Sequence, residues 1–269
     1  MTLKFKTLAL VSALAGSLLL TACGQKEADS NKIKVGVISG AEEQVAEVAK
    51  KVAKQQYGLD VELVSFSDYI TPNAALADGS LDVNAFQHKP YLDQQIADRG
   101  YKLAVVGNSF VYPIAGYSKK IKNVSELADG ASVALPNDPT NLGRSLLLLQ
   151  AQGLIKLKDG SGLNATLLDV VDNPKKLKLV ELEAPQLPRS LDDVDLAIIN
   201  TTYASQIGLT PPKDGLFVED KASPYVNLIV AREDNKDAEN VQKFVKAFQT
   251  EEVYQAANEV FKGGVVKGW

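Results

Sequence analysis

Asp82-Val83-Asn84-Ala85-Phe86-Gln87-His88-Lys89-Pro90-Tyr91 is the stretch whose reading decides the fold. Val83 and Ala85 alternate with polar neighbours, which is the two-residue period of a strand. Pro90 suits the first turn of a helix, where its missing N–H costs nothing, and Gly100 supplies a stop after residues 91–99. A strand end running directly into a helix is the unit of open α/β sheets, whose ligands bind at the carboxyl ends of strands. This junction holds the chain's only histidine, His88, between Phe86 and Tyr91. Such a cluster can wrap a small, partly apolar ligand. It can equally be a core aromatic pair beside a hydrogen-bonded histidine.

Upstream, Ile33, Val35 and Val37 alternate along a strand over 32–38. Val45, Val48, Ala49 and Val52 then follow helical spacing over 41–56, and 61–66 reads as a second strand. That order implies a parallel pair with a right-handed crossover. Thr71-Pro72 opens a short helix as N-cap and first residue, Gly79 closes it, and 102–106 reads as a further strand. Around 111–118, Pro113 and Gly116 interrupt an apolar run, the mark of an irregular or edge strand crossing into a second lobe. That lobe is expected to hold a small helix near 125–127, a strand over 131–135 and a helix through 146–150. Further strands are expected at 177–182, 196–199 and 216–218, with Pro185 and Pro188 bracketing a short turn or helix. Residues 225–230 read as a second crossing strand. Helices over 236–250 and 252–261 follow, with Phe244, Val245 and Phe248 on one face, and return to the first lobe. The expected organisation is an α/β clamshell: lobe I from 32–113 and 227–269, lobe II from 114–226.

The first 22 residues stand apart. Lys4 and Lys6 precede an apolar run, Leu8 to Leu20, too short and wrongly flanked for a membrane-spanning helix. Leu20-Thr21-Ala22-Cys23 then gives the small residues and cysteine of a bacterial lipoprotein signal. Cleavage would leave Cys23 as a lipidated N-terminus, with 23–31 as a polar tether. Because Cys23 is the only cysteine, the exported domain has no disulfide and depends on an ordinary core. The formal charge of −4 becomes −6 once Lys4 and Lys6 are removed. A mildly acidic chain without basic runs gives no reason to expect nucleic-acid binding.

Four polar or aromatic positions outside the opening stretch carry chemical content. Arg144 falls in the first turns of a helix, where the partial positive charge disfavours a cation. Free N–H groups and a guanidinium there make a receptor for a carboxylate, although an exposed Arg on the helix surface fits as well. No partner for it is legible, so its removal is expected to leave the ligand-free fold almost unharmed. Asn200 ends the apolar strand at 196–199, and Asn227 sits inside the second crossing strand. Each amide can accept from an ammonium and donate to a carboxylate, or simply cap a turn or sit buried with its hydrogen bonds satisfied. Tyr69 follows the strand at 61–66. No nucleophile elbow, phosphate-binding loop or dinucleotide fingerprint occurs. One histidine and no thiol in the exported domain speak against a zinc site, and no cofactor or catalytic activity is expected.

Several long motifs resemble one family. Lys34-Val-Gly-Val-Ile38, Asn84 to Leu92, Pro136-Asn-Asp-Pro-Thr-Asn-Leu-Gly-Arg144, Glu183 to Ser190 and Tyr225 to Val230 are similar to the NlpA-type methionine-binding lipoproteins. These are the substrate-binding components of bacterial methionine ABC importers. The resemblance runs from the signal to Trp269. It implies a two-lobed periplasmic-binding-protein fold, type II-like, with two crossing strands as hinge. The protein would close over methionine and deliver it to a membrane permease driven by a separate ATPase. Another small amino-acid-like ligand or a dipeptide is the alternative. Carried over by motif, Arg144 holds the ligand carboxylate, and Asn200 and Asn227 bind its amino and carboxylate groups. Tyr69, Phe86, His88 and Tyr91 enclose the thioether, with Tyr112 a weaker candidate.

Overall fold

The computed structural model describes residues 30–220 and 223–269. The signal segment 1–22, Cys23 and most of the tether expected over 23–31 lie outside the described residues. β1 (Lys32–Ile38) buries Ile33, Val35 and Val37. α1 (Ala41–Tyr57) lays Val45, Ala49 and Val52 on the core and ends at Gly58, whose φ of 64° is a conformation glycine adopts without penalty. β2 (Asp60–Phe66) returns parallel to β1, with Lys32 opposite Asp60 and Ile38 opposite Phe66. The first run closes with α2 (Thr71–Ala77), β3 (Val83–His88), α3 (Lys89–Arg99) and β4 (Leu103–Val111). Thr71 does not cap α2 as expected. Asp68 instead accepts from the backbone N–H groups of Ile70 and Thr71, at 2.7 and 2.8 Å.

The chain then changes sheet. Val111 ends β4, and Ala115–Tyr117 forms β5 in a different sheet, with Pro113 between them. Proline has no N–H for a ladder, so neither strand continues through it. The second body contains β6 (Ser132–Pro136), α4 (Pro139–Ala151), β7 (Lys156–Leu157), β8 (Val170–Asp172) and β9 (Lys178–Leu182). It continues through α5 (Leu187–Ser190), β10 (Leu196–Ile199), α6 (Thr201–Gln206), α7 (Pro211–Asp214) and β11 (Phe217–Val218). The chain returns as β12 (Val226–Arg232), α8 (Glu239–Phe248), α9 (Glu251–Val260) and β13 (Val266–Lys267).

The larger sheet has the order β13-β4-β12-β3-β1-β2, and the other β11-β5-β10-β6-β9. β12 pairs antiparallel with both β3 and β4, so it is a central strand of the larger sheet. Each crossing therefore falls between strands, after Val111 and after Val218, and among the described residues no strand belongs to both sheets. The short β7–β8 pair and α6 have no counterpart in the sequence reading. α8 and α9 pack on α1, and Phe244, Val245 and Phe248 join the core of the larger sheet.

A second core gathers Leu135, Leu142, Leu146 and Ile198 around the smaller sheet. A third joins the two bodies: Ile38, Phe86 and Tyr91 meet Tyr117, Leu187, Ile199 and Tyr203. Each large apolar side chain buried there stabilises by roughly 1.5–3 kcal/mol, so this cluster favours the two bodies in contact.

Candidate functional site

β3 ends against the second body, and its sequence makes that end polar. All six of its residues are buried, Asn84, Gln87 and His88 among them. Asn73 and Gln87 exchange amide hydrogen bonds at 2.7 and 2.6 Å, and Asn84 donates to Asn73 at 2.9 Å. These buried amides satisfy one another and fix the strand behind the site. His88 is the N-cap of α3: its Nδ1 accepts from the Tyr91 backbone N–H at 3.2 Å. Nε2 therefore carries the ring proton and donates to Asn141 Oδ1, 3.2 Å away on α4.

All seven residues singled out from the sequence (Tyr69, Phe86, His88, Tyr91, Arg144, Asn200 and Asn227) line one cavity between the two bodies, and Tyr112 joins them. The space among these side chains, counted with the solvent at its mouth, measures about 350 Å³. Tyr69, Phe86 and Tyr91 form one wall, with ring centroids 6.0 to 6.3 Å apart. The Tyr91 hydroxyl locks it by donating to the Tyr69 carbonyl at 2.7 Å. Tyr203 of α6 packs on Tyr69 at 4.9 Å from across the cleft.

Arg144 is not the unpaired cation that the sequence suggested. Its Nε donates to Glu219 Oε1 at 2.8 Å, its Nη2 bonds Glu219 Oε2, and Nη2 also donates to the Tyr112 carbonyl at 3.0 Å. The guanidinium lies 4.3 Å over the Tyr225 ring and is 4% exposed. Glu219 offsets the unfavourable helix start, and it occupies the edge expected to grip a carboxylate bidentately. Among the described residues Nη1 makes no hydrogen bond, so that nitrogen is the one left to offer an anion. One residue earlier, a Cβ on Gly143 would lie 2.2 Å from the Leu163 carbonyl oxygen, so only glycine lets that turn rest on α4.

Asn200 donates to Asn141 Oδ1 at 2.9 Å, while its own Oδ1 is buried without a partner. A buried acceptor left unmade costs about 1–3 kcal/mol, which a donor on an occupant recovers. Asn227 donates to the Phe86 carbonyl at 3.0 Å and ties β12 to β3 beside the cavity.

Gln87, Asn141, Thr201 and Thr202 also line the cavity, and the sequence reading did not single them out. Asn141 had a usable signal, since it lies three residues after Asp138 at a helix start. The Thr pair follows a strand's carboxyl end, where ligands bind. Thr202 donates to Glu42 of α1 at 2.5 Å, a further link between the bodies. Among the described residues no group of His, Cys, Asp and Glu is placed to hold a metal, and no helix is long and apolar enough to cross a membrane.

Two buried groups give the fold a pH signature of opposite signs. Burial, then the Arg144 charge, pushes the His88 pKa from 6.5 down to about 3. Burial pushes Glu42 from 4.5 up to about 8, against the Thr202 hydrogen bond. Between pH 3 and 6.5 the unfolded chain binds the histidine proton and the folded one does not, so stability rises with pH. Between 4.5 and 8 the folded chain holds the Glu42 proton and the unfolded one does not, so stability falls. The two cancel from 4.5 to 6.5, leaving a fall above 6.5 of up to about 1.4 kcal/mol per pH unit. Urea midpoints across this range should show that fall in the wild type and not in Glu42→Gln. A fall of the same size in Glu42→Gln would exclude Glu42 as its source.

The NlpA lipoprotein family model matches residues 33–269. The chain belongs to the NlpA lipoprotein family. The D-methionine-binding lipoprotein MetQ of Escherichia coli K12 is 75% identical over the full length of both chains. Two solved structures, each 51% identical with a TM-score of 0.86, cover 88% of this chain and all of their own. One is an ABC transporter periplasmic substrate-binding protein from Coxiella burnetii. The other is a nutrient-binding protein from Burkholderia cenocepacia bound to methionine. The α/β architecture of this NlpA lipoprotein is thus that of substrate-binding proteins of transport, a family of receptors rather than enzymes.

Proposed function

We propose that this NlpA lipoprotein is an extracytoplasmic, lipid-anchored receptor that encloses methionine and hands it to an ABC import permease powered by its ATPase. One observation carries the proposal. One cavity combines a guanidinium with a free nitrogen, an unsatisfied amide oxygen and an aromatic wall. Those three features complement the carboxylate, the ammonium and the apolar side chain of one amino acid. Arg144 Nη1 meets the carboxylate, Asn200 Oδ1 accepts from the ammonium with Asn227 beside it, and Tyr69, Phe86, His88 and Tyr91 surround the thioether. His88, held neutral, adds no charge to the apolar half. Residues 32–113 and 227–269 act as one lobe and 114–226 as the other, hinged at the two connections. Acylation of Cys23 anchors the receptor. The relatives named above for methionine binding and ABC transport support this proposal.

One preparation of the exported protein tests both ends of the proposal. The mass of its mature N-terminus should include acyl chains on Cys23. After delipidation, and unfolding and refolding to strip carried ligand, calorimetric titration should rank methionine first among the twenty amino acids. Both enantiomers belong in the series. Burial of the thioether should give a negative heat-capacity change. Tighter binding of another amino acid or of a dipeptide would overturn the methionine assignment, and an unacylated Cys23 would remove the anchor.

A further inference from the structure

The polarity of the ligand site is fixed by a chain of hydrogen bonds that begins outside the cavity wall. Asp138 is the N-cap of α4 and accepts from the Asn141 backbone N–H at 2.9 Å. Its two oxygens also face the Asn141 side-chain amide, at 3.1 and 3.0 Å. A carboxylate only accepts, so the Asn141 atom turned towards it must be the nitrogen, and Oδ1 must point the other way. An independent constraint agrees. His88 Nδ1 accepts from a backbone N–H, so Nε2 is a donor, and the Asn141 atom it meets must be the oxygen. With both ends fixed, Asn141 Oδ1 can receive Asn200 only through that residue's nitrogen. What remains for the cavity is Asn200 Oδ1, buried and unpartnered.

We propose that Asp138 is a positioning residue that sets the polarity of the ligand site. Through Asn141 it turns Asn200 so that an oxygen, and not an NH₂ group, meets the ammonium of the occupant. The inference rests on the amino-acid ligand proposed above, and it accounts for selection of an amine rather than for affinity at large. The same amides turned over would present a donor to the ammonium, a repulsive contact in a buried site. Turning them over requires both the Asp138 and the His88 hydrogen bonds to be given up. The acceptor is therefore held in place before any ligand arrives.

Asp138→Asn reverses the first link with little change of shape. Asparagine caps a helix as well as aspartate does, so α4 keeps its start. The new NH₂ faces the Asn141 side-chain nitrogen and opposes the amide as the wild type holds it, leaving the His88 bond alone to keep Asn141, and through it Asn200, from turning over. Wild type and variant are titrated with methionine and with 4-(methylsulfanyl)butanoate, which is methionine without its amine. The preference for methionine should drop about tenfold to a hundredfold in the variant, the worth of one hydrogen bond to a charged group. Affinity for the amine-free acid should hardly move. Asp68→Asn removes a charge from the cap of α2 without touching Asn141, and it should keep the preference. Neutron diffraction from deuterium-exchanged crystals of ligand-free Asp138→Asn should show the deuterons of Asn141 and Asn200 spread over both ends of each amide, where the wild type shows them at one end. Equal losses for both ligands, equal losses in the Asp68 and Asp138 variants, or deuterons left as in the wild type would each overturn the relay while leaving methionine binding intact. A wild type that binds no methionine would remove both the receptor proposal and this one.

Discussion

Replacing Arg144 by alanine is expected to have two separable effects. Affinity for methionine should fall at least about a hundredfold, and the ligand-free protein should lose about 3–5 kcal/mol of stability. The second effect departs from the sequence reading, in which a cation at a helix start looks dispensable and its removal leaves the ligand-free fold almost unharmed. The reason is Glu219, whose side chain is 12% exposed and bonded to Arg144 through both carboxylate oxygens. Alanine strands that carboxylate in a site that has little water to solvate it, and it also uncovers the Tyr225 ring. Adding Glu219→Gln to the variant removes the stranded charge, so the urea midpoint should partly recover while methionine binding does not. Arg144→Lys should retain some affinity, but an ammonium cannot hold Glu219, the Tyr112 carbonyl and a ligand in one plane. The ligand comparison uses methionine and its carboxyl-free amine, 3-(methylsulfanyl)propylamine. The loss should be confined to methionine. Equal losses for the two ligands would mean that Arg144 supports the fold alone and that the carboxylate lies elsewhere.

How much of this was legible in the sequence depended on how local the cause was. The strand, Pro90 and helix around His88 are set by neighbours within a few residues, so the Phe86, His88 and Tyr91 cluster could be read directly. Asn200 was found because strand ends in α/β sheets face the cleft. The Arg144 pair could not be read, because Glu219 lies 75 residues away and meets it only after the smaller sheet has formed. The link from Thr202 to Glu42 spans 160 residues and depends on the two bodies touching. α6 was missed for another reason: six residues, Thr201–Gln206, are too few to show a period. The run at 225–230 gave a strand, but not its central place between β3 and β4. Sheet order comes from long-range pairing that a local period does not encode.

The aromatic wall supplies the other large effect. Phe86 is 3% exposed and touches both Tyr69 and Tyr91, so Phe86→Ala should cost about 3–5 kcal/mol of stability through the hole it leaves. That loss alone would follow from any core phenylalanine, and it says nothing about the ligand. Ligand dependence separates the two roles. Burying a side chain of methionine's size is worth about 1.5–3 kcal/mol, and alanine gains almost none of this because its methyl group stops short of the wall. Affinity for methionine in Phe86→Ala should therefore fall about tenfold to a hundredfold further than affinity for alanine. Both ligands keep the same ammonium and carboxylate, so a general loosening of the cleft weakens them together and cancels in the ratio. Phe86→Leu keeps most of the apolar volume and should restore stability more fully than it restores the ratio, since a branched chain fills the space between Tyr69 and Tyr91 differently from a ring. If titrations of the alanine variant show the same factor lost for both ligands, Phe86 serves the core between the two bodies, and the thioether is held by other residues.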